Sequence, residues 1–163
     1  MVFGVMVRAV EYNGNDPERI HHLIKVHSFA RIIGKSEGFD ENNQKITEIS
    51  AILHDIGIHN CLEKYKSIDG KYQEIEGVIV AKEILEKVNV PAWIAKRVCY
   101  IVGNHHTLKA IDGMDFQVVV EADILANIYD KKFTDKDRIR KIKESVFKTN
   151  KGKQLLEQMY LKE

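Results

Sequence analysis

An all-α fold, a bundle of six to eight helices, follows from three observations. Apolar residues recur at three- and four-residue spacing through nearly the whole chain. Helix-starting and helix-stopping residues cut that pattern into segments of ordinary helix length. A single run, Val118-Val119-Val120, has the β-branched character of a strand, and there Ala122, Leu125, Ala126 and Ile128 carry the pattern past strand length and favour a helix.

Each element has its own justification. Residues 5–12 make a short helix closed by Asn13-Gly14-Asn15. Asp16 is an N-cap and Pro17 a first-turn residue, so a second helix starts there and carries Ile20, Leu23, Val26, Phe29, Ala30 and Ile33. Gly38 breaks the chain and Asp40 caps a third helix with Ile46, Ile49, Ile52 and Leu53, ended by Gly57 as a C′ glycine. Residues 58–70 read as polar and irregular. A fourth helix runs from about Tyr72 to Val88. Pro91 opens a fifth, through Ile94, Val98 and Ile101 to Gly103. Residues 107–114 form a loop, and Phe116 to Tyr129 a sixth helix. From Asp135 to Leu161 two more amphipathic helices follow, with Gly152 between them. No repeat, linker or low-complexity stretch interrupts the chain, so a single domain over residues 1–163 is expected.

The 163 residues suffice to bury roughly two-thirds of the unfolded surface without disulfides. Lys and Arg total 25 against 24 Asp and Glu, too balanced for a dedicated nucleic-acid binder, which needs a basic surplus. No apolar run approaches the roughly 20 residues that span a bilayer. The stretch from Met1 to Arg8 lacks a basic n-region, so no signal peptide is expected. Cys61 and Cys99 are too few for a disulfide scaffold and are expected to be reduced thiols in a cytoplasm.

Histidine stands out. The 7 imidazoles cluster as His21-His22 with His27, His54 with His59, and His105-His106. At about 100° per residue, Val26, Phe29, Ala30 and Ile33 all fall within about 80° of His22, so this histidine faces the apolar side, whereas His21 and His27 turn away. Alone, His22 is either a hydrogen-bonded core residue or a ligand. His54-Asp55 closes an apolar helix, and a buried carboxylate there needs a cation or several donors. Backbone N–H groups of the next turn or a metal both fit. His105-His106 follow Gly103-Asn104 at a helix C-terminus, where the dipole favours protonated imidazole. Asp123 lies among Val120, Ala122 and Leu125 and is costly unless paired. Glu121, two positions away, is expected on the solvated side. Three imidazole-bearing segments and two carboxylates make a mixed N/O donor set that suits Mn, Fe, Co, Ni or Zn.

These segments resemble the HD-domain superfamily of metal-dependent phosphohydrolases, whose signature is H…HD…D on an all-α bundle. His22-Leu23-Ile24-Lys25-Val26, with Ala30 beyond, is similar to the family's first helix. Ala51-Ile52-Leu53-His54-Asp55-Ile56-Gly57 is similar to its central motif, and Glu121-Ala122-Asp123-Ile124-Leu125 to its last. The likeness covers about residues 17–130 and is nearest to small stand-alone bacterial members, with residues 135–161 as C-terminal helices.

The resemblance implies a first metal on His22, His54, Asp55 and Asp123. Asp55 would bridge to a second held by His105 and His106. Two-metal members have another histidine four residues before a Gly of the following helix. Here Gln73 stands at that place before Gly77, with Glu74 or Glu76 as substitutes, so one tight ion is expected and a second is possible. Ile58 follows Gly57, and the GYP segment of cyclic-di-GMP hydrolases is missing. The implied activity is hydrolysis of a small phosphoester, such as a nucleotide, by a metal-activated water, with Asp55 as a catalytic residue. His59 is a candidate acid or base, and Lys64, Lys71 and Arg97 are candidate phosphate ligands. Two other classes stay open: a di-iron oxygenase on the same fold, and a non-catalytic module that binds a nucleotide or metal. No membrane partner is expected, and the oligomeric state is undefined by sequence.

Overall fold

The computed structural model describes residues 1–162, and every regular element among them is helical. In chain order these are α1 (Val2–Asn13), α2 (Pro17–Ser36), α3 (Glu41–Leu53), α4 (Ile58–Tyr65), α5 (Gly70–Lys87), α6 (Ala92–Val102), α7 (Met114–Asp130), α8 (Lys136–Ser145) and α9 (Asn150–Leu156). A 3-10 turn at Leu108–Ala110 lies in the loop before α7, and a π turn, Glu157–Leu161, continues α9.

The caps act as their residue types require. Asp16 accepts the Arg19 N–H and Asp40 the Asn43 N–H, so both helix starts are closed by a carboxylate. Pro17 occupies the first turn of α2, and Pro91 precedes α6. The run Val118-Val119-Val120 is helical, inside α7.

Helix α2 packs on α3 and α7, and α3 also packs on α7 and α6, so these helices enclose the core. Val26, Ala30 and Ile33 from α2 meet Ile49, Ile52 and Leu53 from α3 and Phe116, Ala122 and Leu125 from α7, all essentially inaccessible. Full burial of each of the Val, Ile, Leu and Phe side chains among these stabilises the fold by about 1.5–3 kcal/mol. Helix α1 lies on α3, and α4 and α6 on α5. No helix among the described residues is long and apolar enough to cross a membrane.

Three expectations change. Residues 58–65 are helical, not irregular: Ile58, Cys61, Leu62 and Tyr65 keep helical spacing, and Ile58 and Cys61 are buried. Helix α3 ends at Leu53, before Gly57, and Gly57 has an ordinary negative φ. Its missing side chain has another reason, because a Cβ there would lie 2.3 Å from the Gly77 nitrogen. Gly57 thus lets the start of α4 sit against the backbone of α5, and a Cβ on Gly77 would instead meet Val102 at 3.0 Å. Gly152 lies inside α9, not between helices, and a Cβ on it would lie 2.0 Å from Glu121 Oε2.

Candidate metal centre

Four helices bring the donors together. His22 projects from the second turn of α2, buried as its helical position requires. His54 and Asp55 follow the last residue of α3, and Asp123 comes from the middle of α7. His105 and His106 follow α6. His22, His54 and Asp123 form one group of converging donor atoms, and Asp55, His105 and His106 form a second.

In the first group His22 Nε2 lies 3.3 Å from His54 Nε2 and 3.2 Å from Asp123 Oδ1. His54 Nε2 lies 3.3 Å from Asp123 Oδ1, and Asp55 Oδ2 stands 3.6 and 3.5 Å from the two nitrogens. Donors about 2.1 Å from one ion are separated by about 3.0–3.4 Å in octahedral or tetrahedral arrangements, so this spacing fits a metal. The other oxygen of Asp55, Oδ1, is 3.2 Å from His105 Nε2. One carboxylate therefore faces both groups.

The imidazoles are oriented by their other nitrogens. His54 Nδ1–H donates to the Ala51 carbonyl and His105 Nδ1–H to the Val102 carbonyl, each at 2.8 Å and three residues back. These are last-turn carbonyls that lack a helical partner, which is why a histidine just past a helix end takes them. A carbonyl only accepts, so the proton sits on Nδ1 and the Nε2 lone pair is left for a ligand. His22 Nδ1–H donates to Asp130 Oδ2 at 2.8 Å, and Lys25 bonds the other oxygen of Asp130. Asn127 donates to Asp123 Oδ1.

The charges facing each donor shift its proton affinity. Burial pulls the His54 imidazole down, but the Asp55 and Asp123 carboxylates outweigh it and push it up to about 9. Burial raises Asp55 and Asp123, yet the facing imidazoles hold both well below the usual carboxylate range. Burial and then His105 depress His106, opposite to the protonated form that a helix C-terminus favours.

A cavity of about 200 Å³ opens beside these donors, with His22, Asp55, Asp123 and His106 on its wall. A larger groove of about 670 Å³ between α5 and α6, lined by Val78, Leu85, Ala95 and Tyr100, holds no cluster of metal-ligating atoms among the described residues. The converging donors therefore lie at the smaller cavity.

The remaining candidates are placed as follows. Gln73 is buried on the cavity wall. Its amide N–H donates to the Ile68 carbonyl, and its Oε1 has no partner, which suits a cation or water there. Glu74 turns away and accepts from the His106 N–H and the Thr107 hydroxyl. Glu76 is filled by Asn60, Lys64 and Tyr65. Lys64 is thereby committed 2.6 Å from Glu76, and Arg97 is clamped between Asp112 and Asp115. Lys71 lies over the Tyr72 ring. His59 sits 3.5 Å from Asp16 and edge-on to Tyr12, apart from both donor groups. None of Lys64, Lys71, Arg97 and His59 lines the cavity.

Glu121 is not solvated but fully buried. It accepts from Gln117, from the Lys148 and Thr149 N–H groups and from the Thr149 hydroxyl. Sequence reasoning missed Asp130. Its signal was its place seven residues after Asp123, on the same face of one helix. Arg19 and Lys131, both on the cavity wall, were also missed, the first three residues before His22 on the same helix face.

No curated protein and no solved structure matches the chain. The sequence pattern of the HD domain matches residues 19–161, from α2 through the turn after α9, further than the central motifs alone. HD domains are typically metal-dependent hydrolases. With that match over most of its length, and with His22, His54 and Asp123 converging and Asp55 beside both imidazoles as the H…HD…D pattern has them, the chain belongs to the HD domain family.

Proposed function

We propose that the protein is a metal-dependent phosphohydrolase that acts on a small phosphoester, a nucleotide among the candidates. The observation that carries this reading is Asp55, whose two oxygens face two converging donor groups on the wall of one cavity. His22, His54, Asp55 and Asp123 would hold a tight divalent transition ion, and Asp55, His105 and His106 a weaker one, with the unpartnered Gln73 Oε1 beside it. Such an ion lowers the pKa of water toward neutrality and polarises a phosphoryl oxygen.

The chain's own residues set up the rest. The Nδ1 bonds to Ala51, Val102 and Asp130 fix three imidazoles in the ligating tautomer and cut the reorganisation that binding would otherwise need. Asp55 and Asp123 offset the charge of the bound cation. The cavity admits the phosphoryl end of a substrate together with water. Hydrolysis forms a bond from the water oxygen to phosphorus and breaks the ester P–O bond, the proton ending on the leaving alcohol.

Elemental analysis of purified protein, joined to a phosphoester panel with Mn, Co, Ni, Fe or Zn, tests this. Chelator-sensitive turnover that Asp55→Ala abolishes while helical circular dichroism persists is expected. Full metal content in Asp55→Ala, or no turnover with any ion, rejects it.

A further inference from the structure

The cations expected from sequence to hold phosphate are committed elsewhere: Lys64 on Glu76, and Arg97 on Asp112 and Asp115. Lys25 is tied to Asp130. Two cations on the cavity wall, Arg19 and Lys131, have neither a salt bridge nor a side-chain hydrogen bond among the described residues. Arg19 is partly buried on the first turn of α2, one turn before His22, so both side chains overlook the cavity from one helix face. A partly buried guanidinium without a partner is costly, and its planar fork matches two oxygens of a phosphoryl group. Lys131 is exposed, just past the end of α7.

The cavity adds a size limit. Its volume of about 200 Å³ is below the roughly 300–1,000 Å³ of sites that enclose a drug-sized ligand. A phosphoryl group and the first few atoms behind it fit. A phosphodiester must place substituents on both sides of phosphorus.

We infer that Arg19 anchors the phosphoryl group and that the site takes phosphomonoester dianions end-on, with Lys131 as the second cation. The reasoning rests on the phosphohydrolase reading, and it goes further by naming the substrate class and the residue that selects it. Two cations match the two charges of a monoester, whereas a diester carries one.

Inorganic phosphate is the probe that separates the two claims, because it needs no turnover. Metal-loaded wild type, Arg19→Ala and Arg19→Lys would be titrated with phosphate by calorimetry, with metal content checked in each. Arg19→Ala is expected to weaken phosphate at least tenfold, as loss of a charge-assisted hydrogen bond does, with metal content unchanged. Arg19→Lys should fall between, since it keeps charge without the fork. Lys109→Ala, on the exposed 3-10 turn, should bind as wild type. In parallel, 4-nitrophenyl phosphate should be hydrolysed faster than bis(4-nitrophenyl) phosphate. Equal phosphate affinity in wild type and Arg19→Ala overturns the inference, as does absence of phosphate binding to metal-loaded wild type or a preference for the diester. Arginine-dependent phosphate binding without hydrolysis of any ester would keep the anchor and discard the phosphohydrolase reading.

Discussion

Glu121 and Asp123 stand two residues apart on α7, and both are carboxylates among apolar neighbours. Glu121 is completely satisfied by an amide, two backbone N–H groups and a hydroxyl, none of which titrates. Those backbone groups belong to Lys148 and Thr149, at the start of α9, so Glu121 ties the C-terminal helix to the core. Asp123 has one amide donor, from Asn127, and otherwise faces the ring nitrogens of His22 and His54. A buried carboxylate surrounded by fixed donors is structural. One that faces lone pairs is completed by a proton or a metal. Glu121 is fully buried and Asp123 is half-buried, and their partners differ in kind.

The largest effect that would break this contrast is on stability. Glu121→Ala leaves several buried donors unpaired and should cost about 3–5 kcal/mol in thermal or urea unfolding of the metal-free protein. Asp123→Ala should cost less in the metal-free protein, because its partly exposed side chain gives up ion pairs with His22 and His54 and one amide bond where water can enter. With metal added, wild type should gain about 2.7 kcal/mol at an ion concentration of about 100 times Kd, and Asp123→Ala should gain almost nothing. Equal costs for the two variants in metal-free protein would show that Asp123 is also a structural pin.

Protons supply the next test. His54 is raised from 6.5 to about 9 in the metal-free fold, so its charged form stabilises the protein fully below pH 6.5 and that contribution is lost as pH rises through about 9. Metal must displace the same proton, so affinity should move the opposite way and climb by up to about tenfold per pH unit over that window. Calorimetric titration in buffers of different ionisation enthalpy should count about one proton released per ion at pH 7 and close to none above pH 10.

Asp130 should matter less. It touches His22 on the side away from the other donors, so Asp130→Ala loosens a ligand without removing it. A loss of about 10–100-fold in metal affinity is expected, with stability of the metal-free protein nearly unchanged. An unaltered affinity would mean that α2 packing alone orients His22.

The same contrast shows what sequence can and cannot carry. His22 was legible because a helical wheel needs only neighbours on one helix, and Asp123 because carboxylates are rare among Val, Ala and Leu. The wheel failed for Glu121 because α7 is buried on more than one side, and the second side is covered by residues 148–152 from far along the chain. Lys64 and Arg97 misled for the same reason: their partners, Glu76, Asp112 and Asp115, are 12 to 18 residues away. For α4 the signal lay in the sequence, in Ile58, Cys61, Leu62 and Tyr65 at helical spacing, and the polar and charged residues between them made the segment read as irregular. Arg19 gains meaning only when the cavity is seen beside it.

The smallest expected effect concerns the second donor group. It has His105, His106 and one oxygen of Asp55, and the carboxylates at 74 and 76 are occupied elsewhere. What remains is the Gln73 amide oxygen, unpartnered and buried on the cavity wall. A neutral amide oxygen is a poorer ligand for a borderline divalent ion than imidazole. Wild type should therefore hold about one tight ion per chain, and Gln73→His should raise this toward two, read by native mass spectrometry of titrated apo protein. Gln73→Leu, close in size but without the oxygen, should leave the tight ion in place and weaken only the second. Two tight ions in wild type would mean that the amide oxygen, held in place by the Ile68 carbonyl, ligates as well as a histidine, and would favour a two-metal centre. Loss of the tight ion in Gln73→Leu would mean that the two donor groups act as one, through Asp55.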